Sequence, residues 1–150
     1  MHSFTQQTYL KIVRASGVYD VLMTAAFATP WTFALLLSHL SAVNQLLGGA
    51  PLPGFGPFQV LVACLLGSVV MVWSVLRIVE PRVLLGRFDG AARFLFSTWM
   101  AWTLFVTGAP VLWLFVIPEL MWGVVQWLPV EPTLRAGRRA VAQPESACVA

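Results

Sequence analysis

The side chain of this sequence best placed for chemistry is the carboxyl of Glu119, which lies inside a long apolar stretch. Pro118 precedes it, and a proline within a helix removes one backbone hydrogen bond and frees a carbonyl of the preceding turn. A carboxyl in hydrocarbon beside loosened backbone is suited to bind a proton or a cation, or to act as a general acid–base. The alternative is a neutral carboxyl that joins two helices through a hydroxyl group. The candidate hydroxyls are those of Thr24, Thr29, Ser97 and Thr103.

The helix predicted around Glu119 has one face that gathers polar and aromatic side chains. Residues three, four or seven positions apart lie on the same side of a helix. We expect this face to point into a bundle of helices, where a ligand or a substrate would meet it. Its members are Phe115, Glu119, Trp122 and Gln126.

The seven tryptophans separate by their predicted depth in a membrane into two groups, with Trp73 between them. Trp113 and Trp127 fall near the two interfaces, where indole rings form an aromatic belt. Deeper indoles can line a pocket for a lipophilic ligand, and the alternative is that they fill the bundle or face lipid. The deeper group is Trp31, Trp99, Trp102 and Trp122.

A second candidate for proton or acid–base chemistry is Asp20, near one end of the first apolar stretch. Arg77 lies at the equivalent depth of the second stretch. Both side chains can reach the headgroup region, so the structural interpretation is an ion pair of Asp20 with Arg77 or with Arg14. A role in chemistry beside Glu119 is the alternative.

The segment between the second and third apolar stretches carries the densest charge of the chain. We predict that it binds anionic lipid headgroups and sets the orientation, and docking of a partner or of an anionic substrate group is the alternative. Arg93, the arginine nearest the third stretch, is expected to extend its guanidinium to the membrane surface. The four arginines of this group are Arg77, Arg82, Arg87 and Arg93.

The composition excludes several classes of protein. Apolar residues make up 59% of the 150 residues and charged residues 10%, so a water-soluble enzyme or nucleic-acid-binding module is excluded. A soluble domain carries roughly 25% charged residues. Two histidines and two cysteines, Cys64 and Cys148, cannot build a histidine-rich metal site, a zinc cluster or a disulfide framework. We therefore expect no metal, no cofactor and no nucleic-acid partner.

Four apolar stretches predict an all-α integral membrane protein, built as a four-helix bundle. A helix needs about 20 apolar residues to cross a hydrocarbon core. The sequence from Thr107 to Pro110 predicts a tight turn, because Gly108 suits a helix end and proline suits a first turn. Pro30 is expected to kink the first span. The predicted spans are about 18–40, 58–79, 91–107 and 111–128, with an interfacial N-terminal segment at 1–17 and a cytoplasmic tail at 129–150.

The positions of the nine basic residues predict the orientation of these spans. The basic residues lie before the first span, around the connection of the second and third spans, or after the fourth. The positive-inside rule then places both termini and the arginine-rich segment in the cytoplasm, for a multi-pass protein of the inner membrane. The first span is longer than the apolar core of a signal peptide, and we expect it to be retained.

In outline the chain resembles the small four-span bacterial membrane proteins grouped as DoxX-like. The resemblance consists of the length, the four predicted spans and the sequence Arg14-Ala15-Ser16-Gly17 that leads into the first span. Because those proteins are themselves mostly of unclear function, the resemblance implies no specific activity. Small multidrug exporters also have four short spans and an intramembrane glutamate, but theirs belongs to the first span, whereas Glu119 belongs to the fourth.

Three functions fit these residues. The first is a small membrane protein without catalysis of its own, which binds a lipophilic ligand or serves as a subunit of a membrane assembly, either as a homo-oligomer or with a partner subunit. The second is a membrane-embedded enzyme of the isomerase or cyclase type, which acts on a lipid-like substrate with Glu119 as general acid–base. The third is a proton-coupled small exporter that uses Glu119.

Overall fold

A computed structural model of the chain describes residues 4–131, and every regular element in this range is helical. The all-α prediction is therefore confirmed, with five α-helices where the sequence predicts four. Most of the predicted tail, residues 132–150, lies outside the described residues. The elements are α1 (Gln6–Thr24), continued by a 3₁₀ turn (Ala25–Phe27), α2 (Pro30–Leu46), α3 (Pro57–Val79), α4 (Val83–Thr107), a second 3₁₀ turn (Pro110–Leu112) and α5 (Trp113–Trp127).

The tight turn predicted between the last two spans is present between α4 and α5. Gly108 closes α4 in the left-handed conformation, with φ of 64°, and its N–H donates to the carbonyl of Leu104 at 2.8 Å. Pro110 then opens the 3₁₀ turn that leads into α5, where its missing N–H removes no helix hydrogen bond. The two helices pack closely along each other as a hairpin.

α1 packs antiparallel along α3. The Nε of Arg14 donates to the carbonyl of Ile78 at 3.1 Å near one end of the pair, and Phe27 lies against Gly67 at the other. A Cβ atom on Gly67 would lie 2.5 Å from the Cβ of Phe27. The absence of a side chain at this position is therefore what allows the 3₁₀ turn after α1 to approach α3.

The predicted first span is broken between α1 and α2, which meet at 99°. The sequence predicts a kink at Pro30, but Pro30 instead occupies the first turn of α2. Thr29 has an extended backbone (φ −138°, ψ 154°), and its side chain and that of Thr32 cap the new helix by reciprocal hydrogen bonds. A proline is tolerated in a first turn because no intrahelical donor is lost there, so this sequence starts a helix instead of bending one.

α2 reaches from α3 to the start of α5. Near the beginning of α2, Phe33 packs on Phe55, which lies in the connection to α3, with ring centroids 5.3 Å apart. Near its end, the buried Oδ1 of Asn44 accepts a hydrogen bond from the N–H of Val111 at 3.0 Å. α2 therefore bridges the α1–α3 pair and the α4–α5 pair at one end of the bundle.

Two described stretches are long and apolar enough to cross a membrane, namely α3 and Pro110–Trp127. The bent pair formed by α1 and α2 adds a third if the pair is one broken span. The 25-residue α4 is not among them, since Arg93 and several Ser, Thr and Trp residues lower the hydropathy of its second half. Length and composition thus support a membrane protein, with two or three candidate spans within residues 4–131.

The interior of the described part of the chain is more polar than its surface, the reverse of a soluble domain. Apart from glycines, six of its buried residues are hydrophobic and nine are polar or charged. Large apolar side chains face outward, among them Trp31, which is 80% exposed. This distribution is typical of a protein surrounded by lipid. Apolar side chains are favourable in contact with hydrocarbon, whereas charged groups there must be paired inside the protein. The buried polar residues are Ser16, Asp20, Asn44, Ser74, Arg77, Asp89, Arg93, Ser97 and Gln126.

Candidate functional site

The most distinctive feature of the interior is a group of five charged side chains, which we call the ionic cluster. Two arginines and three carboxylates meet there, and they come from α1, α3, α4 and α5. Their side chains range from fully buried, for Arg77, to 16% exposed, for Glu119. The cluster therefore ties four helices together through groups that are largely removed from solvent. Its members are Asp20, Arg77, Asp89, Arg93 and Glu119.

Arg93 is the centre of the cluster, since its guanidinium contacts all three carboxylates. Its Nη2 donates to both oxygens of Asp20 at 2.7 and 2.8 Å, and its Nε donates to Oδ2 of Asp89 at 3.0 Å. Its Nη1 donates to Oε2 of Glu119 at 2.8 Å. Asp89 and Arg93 are four residues apart on α4, so they occupy one face of that helix.

Arg77 is the second cation of the cluster and is completely buried. Its Nη2 donates to Asp20, and its Nη1 donates to Oδ2 of Asp89 at 2.5 Å. Two serine hydroxyls also accept from this guanidinium, Ser16 at 2.9 Å and Ser74 at 3.2 Å. The Nε of Arg77 has no hydrogen-bond partner among the described residues. Arg77 thus links α1, α3 and α4 at the end of the bundle where α3 finishes.

Asp89 is the carboxylate with the most complete set of donors. Besides the two arginines, Nε1 of Trp73 donates to its Oδ1 at 3.0 Å, and Nε2 of Gln126 donates to its Oδ2 at 2.8 Å. Gln126 also donates to Ser16 at 2.8 Å, so one amide group joins α5 to both α1 and α4. These four donors fix the position of the Asp89 carboxylate within the cluster.

The formal charge of the cluster does not balance. Three ionised carboxylates contribute −3 and two guanidinium groups contribute +2, which leaves −1. An arginine side chain stays protonated under ordinary conditions, so the difference cannot be removed by the cations losing protons. An unbalanced charge is costly away from water. One added proton, or one bound monocation, would bring the sum to zero.

Glu119 differs from the other two carboxylates in its surroundings. Both oxygens of Asp20 and both oxygens of Asp89 accept hydrogen bonds from the described residues. Only Oε2 of Glu119 does so, from Arg93, while its Oε1 accepts none within residues 4–131. Glu119 also has the most exposed side chain of the three. An incoming proton therefore has one free carboxylate oxygen to reach, and it belongs to Glu119.

The predicted pair of Asp20 and Arg77 is confirmed, and it is buried within the bundle. The alternative partner, Arg14, donates instead to the backbone of Ile78. The expectation that Glu119 bonds to a hydroxyl group is not met, because its partner is Arg93.

The largest correction concerns the four arginines that the sequence assigns to lipid headgroups or a partner. Arg93 does not extend to the surface, since its side chain is 2% exposed, and Arg77 is buried as well. Arg82 remains exposed and pairs with Glu80. Arg87 is half-buried, and its guanidinium caps the end of α5. The predicted headgroup surface thus retains two of its four arginines.

Sequence reasoning did not identify Asp89 as a functional candidate. The predicted third span begins at residue 91, so Asp89 falls in the connection that precedes it. The structure starts α4 at Val83, so Asp89 lies in its second turn and faces the interior. The available signal was the spacing of four residues between Asp89 and Arg93, which is typical of an ion pair along a helix.

The structure places some of the predicted ligand-binding residues in or beside the ionic cluster and others on the outer surface. Gln126 is buried within the site, and Trp122 lies beside Tyr19 of α1 with ring centroids 6.0 Å apart. Phe115 is half-buried. The remaining tryptophans of the predicted pocket point outward and are not brought together with Glu119. These are Trp31, Trp99 and Trp102.

Two shallow apolar grooves are present, and both lie around Phe55 at the beginning of α3. One runs along Phe58 and Val62, and the other along Pro30 and Leu61. Phe58 and Arg77 are nineteen residues apart on one helix, which is about 28 Å at 1.5 Å per residue. None of the residues that line either groove belongs to the ionic cluster.

The described residues contain no group of three or more His, Cys, Asp or Glu side chains arranged to hold a metal ion. Comparison with known proteins gave no match for this chain, whether to a family model, to a curated protein or to a solved structure. The resemblance to DoxX-like proteins therefore stays a prediction, and the functional argument rests on the geometry of the ionic cluster.

Proposed function

We propose that this protein is a small multi-pass membrane protein without catalysis of its own, and that it binds and releases one proton at Glu119 as a proton-coupled carrier does. The observation that carries the proposal is the imbalance of the ionic cluster, with three carboxylates for two guanidinium groups. Ionisable groups inside a membrane are typical of proton relays and transport sites.

The cluster also explains how α4 can lie within a membrane although its hydropathy is low. Asp89 and Arg93 are charged residues that lower the hydropathy of α4, but both form ion pairs with groups on other helices. Paired charges enter hydrocarbon at far lower cost than isolated ones. In this proposal α1, α3, α4 and α5 cross the inner membrane together, with the end that carries Arg82 and Arg87 in the cytoplasm.

Protonation of Glu119 would change the forces between the helices. The ionised carboxylate holds α5 to Arg93 of α4, and the same guanidinium binds Asp20 of α1. A proton on Glu119 removes the charge that attracts Arg93, and the guanidinium is then held by Asp20 and Asp89. The contact between α5 and the rest of the cluster weakens, so two arrangements of the helices can differ in their affinity for a proton, which is the requirement for coupling.

The test is proton flux through liposomes that contain the full chain and an internal pH-sensitive dye. An acid step is applied outside while potassium and valinomycin hold the membrane potential at zero. We expect faster internal acidification than in protein-free liposomes, and we expect Glu119→Gln to reduce it to the protein-free rate, because the amide cannot take up a proton.

Glu80→Gln is the matched control, since Glu80 is an exposed carboxylate outside the cluster that pairs with Arg82. This variant should acidify as the unchanged protein does. Flux that is no faster than in protein-free liposomes, or flux that survives Glu119→Gln, contradicts the proposed function.

A second candidate is a subunit of a membrane assembly formed by copies of this chain, in which the outer face of α3 packs on a second copy instead of on lipid. This helix is strongly apolar, yet only 11% of its most apolar stretch is buried inside the chain. Native mass spectrometry of the protein released from lipid nanodiscs tests this candidate. Dimers or larger species support it, and a mass of one chain at all protein concentrations removes it.

A further inference from the structure

Ser97 is a buried hydroxyl of α4 that the ionic cluster does not use. The residue is 4% exposed, and its Oγ has no hydrogen-bond partner among the described residues. The threonines of the same helix behave differently, since each donates to the carbonyl four residues earlier. A buried hydroxyl that makes no such bond is free to bond to something else. The three threonines are Thr98, Thr103 and Thr107.

The packing of α4 on α5 places Ser97 at the level of Glu119. Gly90 of α4 lies against Trp127, and Gly123 of α5 lies against the side chains of Arg93 and Phe94. The residue numbers of each contacting pair add up to 216 or 217. This sum stays constant along two antiparallel helices, because the residue number rises along one helix as it falls along the other. The residue of α5 opposite position 97 is therefore 119 or 120.

Ser97 is also one turn from Arg93, so the two side chains share the face of α4 that meets the cluster. Arg93 binds one oxygen of Glu119, and the other oxygen, Oε1, has no partner within residues 4–131. An unused carboxylate oxygen and an unused hydroxyl thus occupy the same level of two neighbouring helices. A proton on Oε1 would supply the donor that the Ser97 oxygen lacks.

We propose that Ser97 is the positioning residue for the exchangeable proton of Glu119, an inference that rests on the proposed function. With Glu119 ionised and bound to Arg93, as in the structure, the Ser97 hydroxyl has no hydrogen-bond partner among the described residues. With a proton on Oε1, the new O–H donates to the Ser97 oxygen, since a hydroxyl can both donate and accept. The proton comes from solvent and returns to it, and the buried Ser97 oxygen gains a partner when Glu119 is protonated.

Other titratable and charged groups face Glu119 from the helices packed against α5. Arg93 and Asp89 lie on α4, and Asp20 and Tyr19 lie on α1. Arg93 and the two aspartates are engaged in the cluster, and the ring of Tyr19 lies under the Arg93 guanidinium, 6.0 Å from it. Ser97 is the buried hydroxyl at this level of α4 that has no hydrogen bond to lose.

The experiment is infrared difference spectroscopy of the full chain in liposomes as the pH is varied. A protonated carboxyl gives a C=O band of its own, and Glu119→Gln should remove the band that belongs to Glu119. In Ser97→Ala we expect this band to move to higher frequency, as a carboxyl that has lost a hydrogen bond does. The pH of half-protonation should fall by about one unit, a ten-fold change in proton affinity, because only the protonated carboxyl loses a hydrogen bond.

Ser97→Thr keeps the hydroxyl and should restore the band and the half-protonation pH. Thr98→Ala is the matched control, since it removes an exposed hydroxyl from the next position of α4. A band and a half-protonation pH that are unchanged in Ser97→Ala, with the band still absent in Glu119→Gln, overturn the role of Ser97 alone. A titrating band that survives Glu119→Gln overturns the proposed function instead.

Discussion

Replacement of Arg93 by alanine is expected to destabilise the chain more than any other single change in the ionic cluster. The guanidinium of Arg93 binds Asp20, Asp89 and Glu119, and its loss changes the formal charge of the cluster from −1 to −2. Removal of one partner from a buried ion pair costs about 3–5 kcal/mol, because the remaining charge stays buried without compensation. Thermal unfolding in detergent micelles, followed by circular dichroism, measures the loss.

Two further variants show whether this loss comes from charge. Arg82→Ala removes an arginine whose only ion pair is exposed, and we expect a change of about 0–1 kcal/mol. Arg93→Met combined with Asp20→Asn and Glu119→Gln leaves only Arg77 and Asp89 charged, so the cluster is neutral. This triple variant should recover much of the stability that Arg93→Ala loses. Unfolding of Arg93→Ala at the temperature of the unchanged protein would contradict the central role of Arg93.

The sequence predicts the helical class and the tight turn at Gly108 because both depend on neighbouring residues. It also predicts the Asp20–Arg77 pair, since the two residues lie at equivalent depths of adjacent apolar stretches. The burial of Arg93, in contrast, does not follow from neighbouring residues. Its carboxylate partners on other helices are 73 and 26 residues away in the chain, and a positive charge beside an apolar stretch is expected at the membrane surface until those partners are known.

The break between α1 and α2 shows a similar limit. Pro30 is compatible with a kinked helix and with the first turn of a new one. The decision depends on the extended backbone at Thr29 and on the packing of Phe33 against Phe55. The aromatic contact joins residues 22 positions apart, so a pattern along one helix cannot reveal it. Local signals thus indicate either a kink or a new helix at Pro30, and tertiary contacts determine which of the two forms.

The second large effect is expected from three substitutions that change the charge of the cluster equally. Asp20→Asn, Asp89→Asn and Glu119→Gln each replace a carboxylate by an amide and bring the formal charge from −1 to 0. If net charge alone governed stability, all three variants would unfold at the same temperature. We expect them to differ, because the carboxylates accept different numbers of hydrogen bonds.

Asp89→Asn should be the most destabilising of the three. Oδ2 of Asp89 accepts from Arg77, Arg93 and Gln126. Whichever oxygen the new N–H₂ group replaces, that group would face donors instead of offering them an acceptor. Each buried donor left without an acceptor costs about 1–3 kcal/mol, so a total of about 3 kcal/mol or more is expected. Asp20→Asn should be intermediate, since both of its oxygens accept from guanidinium groups.

Glu119→Gln should be the least destabilising of the three. Its amide oxygen can still accept from Arg93, and its N–H₂ group can occupy the place of the unused Oε1. Equal destabilisation by all three substitutions, measured by thermal unfolding at one pH, would contradict this order. The order matters for function, because a residue that exchanges a proton must change its charge without unfolding the protein. Asp20 and Asp89 are held by too many donors to do so, whereas Glu119 has one donor and one free oxygen.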